Sequence, residues 1–102
     1  MADFGFVRNF ALSLPNARER SCYGTPAFYV GRTLFARFLN DGDSIVVKID
    51  ERDRERRMAA DPQVFSVTDH YLNYPMMIVR LSAVDDDDLQ ELLRDACKVA
   101  AS

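Results

Sequence analysis

The sequence predicts an α+β fold in two layers, an antiparallel sheet with helices on one face. Two observations carry this prediction. The pair Asp41-Gly42 lies between two stretches of alternating apolar residues, which is a strong signal for a β-hairpin. Apolar residues recur at helical spacing near both ends of the chain, at 6–14 and 89–100. The coarse element order is α-β-β-β-β-α-β-β-α, and strands grouped between helices are typical of this class.

Length and composition indicate one domain over residues 1–102. The hydrophobic fraction of 48% is enough for a core of ordinary size. The sequence contains neither an apolar run of about 20 residues nor a secretion signal, so we expect no membrane span. We therefore expect a cytoplasmic protein, of bacterial origin if its compact size is a guide.

The hairpin has a register that can be derived from its alternation. With Asp41 and Gly42 at a two-residue turn, the expected pairs are Asn40 with Asp43, Phe38 with Ile45, Ala36 with Val47, and Leu34 with Ile49. One face of the hairpin then carries only apolar residues and should be core: Leu34, Ala36, Phe38, Ile45, Val47 and Ile49. The other face is mixed, and is either solvated or a binding surface: Phe35, Arg37, Leu39, Val46 and Lys48.

The elements before the hairpin follow from caps and turn residues. Asp3 should cap a first helix, which ends at Pro15-Asn16. Residues 18–23 and 27–30 are predicted strands, separated by a turn at residues 24–26. A second tight turn at Gly31-Arg32 leads into the hairpin.

The elements after the hairpin are a charged helix, two strands and a final helix. Asp50 should begin the charged helix, and Asp61-Pro62 should end it. Residues 63–68 and 76–81 are predicted strands, joined by a polar and aromatic loop. The acidic run 85–88 precedes a strongly periodic segment, so we interpret it as the cap and first turn of the last helix.

The charge balance excludes a polybasic protein, since the net charge is -3. Attraction to phosphate through a general surplus of cations should therefore be weak.

Cys22 and Cys97 are expected to be reduced, although a disulfide stays open until their separation is known. One histidine and no ligand spacing predict no metal site and no cofactor.

The sequence carries no recognisable catalytic motif. It has no G-x-S-x-G elbow, no P-loop and no dinucleotide fingerprint. A nucleophile site would need Cys22 or a serine beside His70, with Asp69 to orient the imidazole. We therefore expect a protein that is not an enzyme, while a pocket that brings His70 and Cys22 together would favour the enzyme alternative.

The candidate functional residues are cations interleaved with aromatic side chains. Arg37 and Lys48 share the mixed face of the hairpin, and Arg80 can join them from a later strand, while His70, Tyr71 and Tyr74 lie on the loop before that strand. Cations contact phosphate and aromatic rings stack on bases, so this set suits DNA. The alternative is a solvated face with extended arginines and rim tyrosines.

The chain also resembles the MmcQ/YjbR family over nearly its whole length. The likeness rests on an ordered set of segments: Tyr23-Gly24-Thr25-Pro26-Ala27-Phe28, Gly31, Leu34-Phe35-Ala36, Lys48, His70-Tyr71 and Tyr74-Pro75. The resemblance implies a YjbR-type two-layer fold, which is compared with secretion chaperones, frataxin-like domains and a double-wing DNA-binding domain. Members are commonly labelled predicted DNA-binding proteins.

Two functions are therefore expected from the sequence. The first is a small non-catalytic protein that binds DNA on the exposed sheet face. The second is a protein-interaction or chaperone-like module, or a homodimer, that uses the same face through Phe35, Leu39, Val46, Met76 and Ile78.

Overall fold

The structure, a computed structural model, describes residues 2–102. In that range the chain forms α1 (Phe4–Ser13), β1 (Ala17–Cys22), β2 (Thr25–Val30), β3 (Thr33–Phe38), β4 (Ser44–Lys48), α2 (Glu51–Ala60), β5 (Phe65–Ser66), β6 (Met76–Arg80) and α3 (Asp86–Ala101). The strands make one antiparallel sheet in the order β1-β2-β3-β4-β6-β5. The predicted fold class and element order are confirmed.

The core lies between one face of the sheet and the helices. Phe28, Phe38 and Met77 from the strands are packed with Leu89 and Leu93 of α3 in one buried cluster. Burial of such side chains contributes about 1.5–3 kcal/mol each. We call the sheet surface that faces the helices the inner face and the opposite surface the outer face.

The three helices begin where the sequence predicts. The carboxylates of Asp3, Asp50 and Asp85 each accept a hydrogen bond from a backbone N–H in the first turn of α1, α2 and α3 respectively. Such caps satisfy N–H groups that have no partner within the helix. The acidic run at the start of α3 therefore has a structural role, and its charges also suit the positive end of the helix dipole.

The β3–β4 hairpin has the predicted pairing in its strands but a different turn. Phe38 pairs with Ile45 and Ala36 with Val47. The two-residue turn was wrong, because pairing ends where the Leu39 N–H donates to the Ser44 carbonyl at 2.9 Å. Asn40 and Asp43, predicted as a pair, belong instead to a four-residue loop, 40–43. Asp41 determines this shape, since its carboxylate accepts hydrogen bonds from the N–H groups of residues 43 and 44 and from the Ser44 hydroxyl.

This loop makes folding stability sensitive to acid. The hydrogen bonds lower the pKa of Asp41 below its ordinary value of 3.8, first through the N–H of Asp43 and then through the hydroxyl of Ser44. A lowered pKa adds stability above the ordinary value, and that stability is lost as the pH falls through the folded-state pKa. We expect Asp41→Asn to lower the free energy of unfolding at pH 7 by about 0.5 kcal/mol. The effect is small because solvent screens this exposed carboxylate. In urea titrations the difference should shrink as the pH falls below 3.8 and through the folded-state pKa, and a difference that grows there would contradict this role.

A β-bulge in β3 changes the predicted faces of two residues. Opposite β3, Phe28 pairs with Ala36 and Tyr29 pairs with Leu34, so Phe35 is an extra residue in its strand. The Phe35 side chain is 0% exposed and its ring lies 6.3 Å from that of Phe28. The placement of Phe35 on the outer face and of Leu34 on the inner face, paired with Ile49, was wrong, because the bulge interrupts the alternation of side chains.

The β1–β2 hairpin has a tighter turn than predicted. Tyr23 and Gly24 both have positive φ, at 51° and 82°, as a two-residue turn of type I′ requires. Thr25 and Pro26, predicted as part of the turn, belong to β2 instead. The turn projects the Tyr23 side chain into solvent, where it is 90% exposed.

Candidate nucleic-acid interface

The outer face carries only positive charge on its strands. Pairing and alternation place Arg18 and Arg20 of β1 on the outer face, and Arg37, Lys48 and Arg80 join them from β3, β4 and β6. Among the described strands, the only acidic residue is Glu19, and it lies on the inner face. Its carboxylate accepts two hydrogen bonds from Arg8 of α1. The described strands therefore carry no carboxylate among these cations, but Lys48, at the end of β4, also lines a pocket with Asp50, Asp53 and Asp95 of the helical layer.

The acids are concentrated in the helical layer. Asp50, Glu51, Asp53 and Glu55 belong to α2 or its cap, and Asp85 to Asp88, Glu91 and Asp95 belong to α3 or its cap. The bases of the two helices differ, since α2 also carries four arginines that balance its four acids, whereas α3 and its cap have six acids and only Arg94 and Lys98. The negative charge is therefore concentrated on α3, and the outer face of the strands is cationic. A polyanion is attracted to the outer face of the sheet and repelled by α3.

A groove crosses the outer face between the β1–β2 turn and the loop 67–75. Its volume is about 520 Å³. We call it the outer groove, and its lining consists of Cys22, Tyr23, Arg32, Thr33, Leu34, Arg37, Lys48, His70, Tyr71, Tyr74, Pro75 and Met76. The lining combines three cations with four rings and contains no carboxylate.

Arg37 lies at the centre of the outer groove and is held in place by both walls. Its Nε donates to the Thr25 hydroxyl at 3.1 Å and to the Cys22 carbonyl at 3.4 Å, and its Nη1 donates to the Tyr71 hydroxyl at 3.0 Å. The guanidinium also lies 5.4 Å from the centroid of the Tyr23 ring. None of these hydrogen bonds uses Nη2, which leaves that nitrogen for an acceptor on a ligand.

The far wall of the groove depends on Arg54 of α2. Its side chain is buried, and its Nη1 donates to the carbonyls of Tyr74 at 2.8 Å and Met76 at 3.1 Å. The Nη1 also approaches the Tyr71 carbonyl at 3.4 Å, and Nη2 donates to the Leu72 carbonyl at 3.1 Å. One guanidinium thereby donates to backbone carbonyls of the loop 67–75 and of the first residue of β6, and so fixes the loop against α2.

Five of the six predicted site residues lie together. Arg37, Lys48, His70, Tyr71 and Tyr74 all line the outer groove. The ring of His70 lies 4.7 Å from that of Tyr71 and 6.2 Å from that of Tyr74. These three rings therefore form one aromatic wall opposite Tyr23.

Arg80 lies apart from the other five. It is on the outer face, but it pairs with Ser44, at the opposite end of β4 from Lys48. Four residues of extended strand correspond to about 13 Å. Arg80 lines a separate shallow depression with Ser66 and Ile78.

The outer face is less open than the hairpin alone predicted. Val46, Met76 and Ile78 are buried in a second small cluster, covered by Leu34, Leu39 and Tyr71. The expectation of a freely exposed face was therefore wrong over these residues, because the loop 67–75 folds back over the sheet. The loop and the sheet together turn a flat surface into a groove.

Cys22 and His70 both line the groove, which is the juxtaposition that the enzyme alternative required. Within residues 2–102, however, no hydrogen bond joins them, and the Cys22 thiol lies beside the Tyr29 hydroxyl instead. That contact raises the pKa of Tyr29, with burial as a second cause. Both cysteines are free, Cys97 being buried in the core.

Several residues of the interface escaped the sequence analysis. The alternation of Arg18 and Arg20 in β1 was a readable signal, since both positions point to the same face. Tyr23 and Arg32 were assigned to a strand end and a turn, and nothing in the sequence placed either beside Arg37.

No group of three or more His, Cys, Asp or Glu residues in the described part of the chain is arranged to hold a metal ion.

Comparison with known proteins agrees with this architecture. A family model described as YjbR matches residues 12–98. The crystal structure of the Deinococcus radiodurans protein DR2400, with the family-model domain DUF419, is similar to this chain with a TM-score of 0.76 and 25% identity, over 88% of this chain and 72% of that chain. No curated protein matches the chain.

Fold and groove define a small two-layer α+β domain with a cationic, aromatic outer face. The family match covers most of the chain. The chain therefore belongs to the YjbR family, as its ordered motifs indicated. None of the described helices is long and apolar enough to cross a bilayer.

Proposed function

We propose that this protein is a non-catalytic DNA-binding protein that contacts its ligand through the outer face of the sheet. The observation that carries the proposal is the separation of charge between the two layers. Arg18, Arg20, Arg37, Lys48 and Arg80 share the outer face, and the six carboxylates of α3 and its cap belong to the helical layer. Lysine and arginine on one surface release counterions from a phosphate backbone even when the whole protein is acidic.

The aromatic wall supports a nucleic acid over another polyanion. Phosphate alone would need only the cations, whereas exposed rings contribute when a ligand also presents flat bases or sugars. Tyr23 and Tyr74 are the most exposed large hydrophobic residues of the described chain, and His70 is exposed beside Tyr74. DNA as the ligand also agrees with the cytoplasmic location that the sequence predicts.

The alternative of a protein-interaction module lacks a matching surface. It was based on exposed apolar residues beside the cations, but Phe35, Val46, Met76 and Ile78 are all buried. Of the exposed large hydrophobic residues, only Tyr23 and Tyr74 line the outer groove, and both are tyrosines, whereas Leu12, Leu72 and Val99 lie elsewhere in the described chain. No observation in the described chain favours this function over DNA binding.

Charge removal on the two layers tests the proposal. A triple variant with Arg20→Ala, Arg32→Ala and Lys48→Ala removes three cations from the outer face and its rim. A matched variant with Arg52→Ala, Arg56→Ala and Lys98→Ala removes the same charge from the exposed surface of the helices. In mobility shift assays at 20 mM and 150 mM salt, we expect the first variant to lose at least tenfold in affinity for DNA.

The salt dependence gives a second measure in the same assay. Each lost phosphate contact should reduce the slope of log affinity against log salt by about 1. The helical variant should bind within twofold of the wild type with an unchanged slope. Equal losses in both variants, or no shift of any DNA by folded wild type at low salt, would refute binding through the outer face.

A further inference from the structure

We infer that the outer groove accepts one unpaired nucleotide, so that the protein binds single-stranded DNA more tightly than the duplex of the same sequence. This inference rests on the proposed function and specifies its ligand. The groove is concave, and its volume of about 520 Å³ is within the range of sites that enclose a small molecule. A stacked base inside a duplex cannot enter such a groove, whereas a base from a single strand can leave the stack freely.

The chemistry of the lining matches the two parts of a nucleotide. Tyr23 on one wall and His70 and Tyr74 on the other offer ring faces to a base. The Nη2 of Arg37 and the side chains of Arg32 and Lys48 are available to a phosphate at the same site. The absence of a carboxylate from this lining removes the group that would repel the phosphate.

Arg37 is also fixed before any ligand arrives. Its Nε and Nη1 are engaged by Thr25, the Cys22 carbonyl and Tyr71, so little side-chain freedom is left to lose on binding. A cation that is pre-positioned at the floor of a groove selects a ligand that can reach the floor. The regular backbone of a duplex would contact the exposed cations at the rim instead.

Tyr23→Asn tests the inference without disturbing the turn. Asparagine tolerates the positive φ of residue 23, so this variant removes the ring and keeps the hairpin. Fluorescence anisotropy would compare a labelled 12-nucleotide strand with a hairpin duplex of the same sequence. We expect wild type to prefer the single strand at least fivefold, since stacking of one base is worth about 1–3 kcal/mol.

In Tyr23→Asn, the affinities for single-stranded DNA and for the duplex should lie within about twofold of each other. The variant should bind the single strand more weakly than wild type does and bind the duplex equally well. Leu12→Ala, at an exposed apolar site on α1, should keep the wild-type preference. A duplex that binds as tightly as the single strand would overturn the inference and leave the proposed function intact. A single-strand preference that survives in Tyr23→Asn would also overturn the inference. If the wild type bound neither form of DNA, the proposed function itself would be overturned.

Discussion

Phe35→Ala is expected to lower the free energy of unfolding by about 3–5 kcal/mol, the usual cost of removing a buried phenylalanine ring. The ring is 0% exposed and lies in the cluster of Phe28 and Phe38. Simple alternation along β3 would place this residue on the outer face, where the same substitution would cost little. The size of the loss therefore reports directly on the bulge.

Leu34→Ala is the matched comparison for the bulge. Leu34 is half-buried on the outer face beside Val46, so we expect a loss of about 1 kcal/mol. Urea unfolding followed by far-UV circular dichroism measures both variants. If Leu34→Ala lowered the free energy of unfolding more than Phe35→Ala does, β3 would alternate regularly and would contain no bulge.

Arg54→Met should lower the free energy of unfolding by about 3 kcal/mol. Methionine has a similar length and fills the space, but it leaves the carbonyls of Leu72 and Met76 without this donor, whereas the Tyr74 carbonyl still accepts from the Met76 N–H. A buried carbonyl that loses its partner keeps its desolvation cost. The loss should also loosen the aromatic wall, because Arg54 holds the backbone that carries Tyr71 and Tyr74.

Arg52→Met supplies the control on the same helix. Arg52 is exposed, so its replacement should change the free energy of unfolding by no more than about 0.5 kcal/mol. Urea titration of both variants gives the comparison, and limited proteolysis should cut the loop 67–75 faster in Arg54→Met alone. Equal stability of the two variants would show that the loop does not depend on Arg54.

Local rules predicted the regular parts of this fold well. The caps at Asp3, Asp50 and Asp85 and the pairing of Phe38 with Ile45 depend on neighbouring residues, and the structure confirms them. The bulge at Phe35 was not predictable in this way, because it depends on the match between β2 and β3. Within β3 alone, the sequence alternates as if no residue were extra.

The site was predictable in composition but not in shape. The hairpin register brought Arg37 and Lys48 to one face, and the loop before β6 supplied three rings. The groove itself depends on Arg54, whose carbonyl partners lie 17–22 residues away in the chain. In a helix with seven charged residues out of ten, no local signal marks one arginine as buried.

Mapping the contact surface by NMR shows directly whether DNA binds at the outer groove. Single-stranded DNA would be titrated into ¹⁵N-labelled protein, and amide chemical shifts would be followed by NMR spectroscopy. We predict that the perturbed amides cluster around the outer groove, at residues such as Tyr23, Arg37 and Tyr71, while those on the solvent side of α3 stay unchanged. Perturbations centred on α2 and α3, or none at saturating DNA, would contradict it.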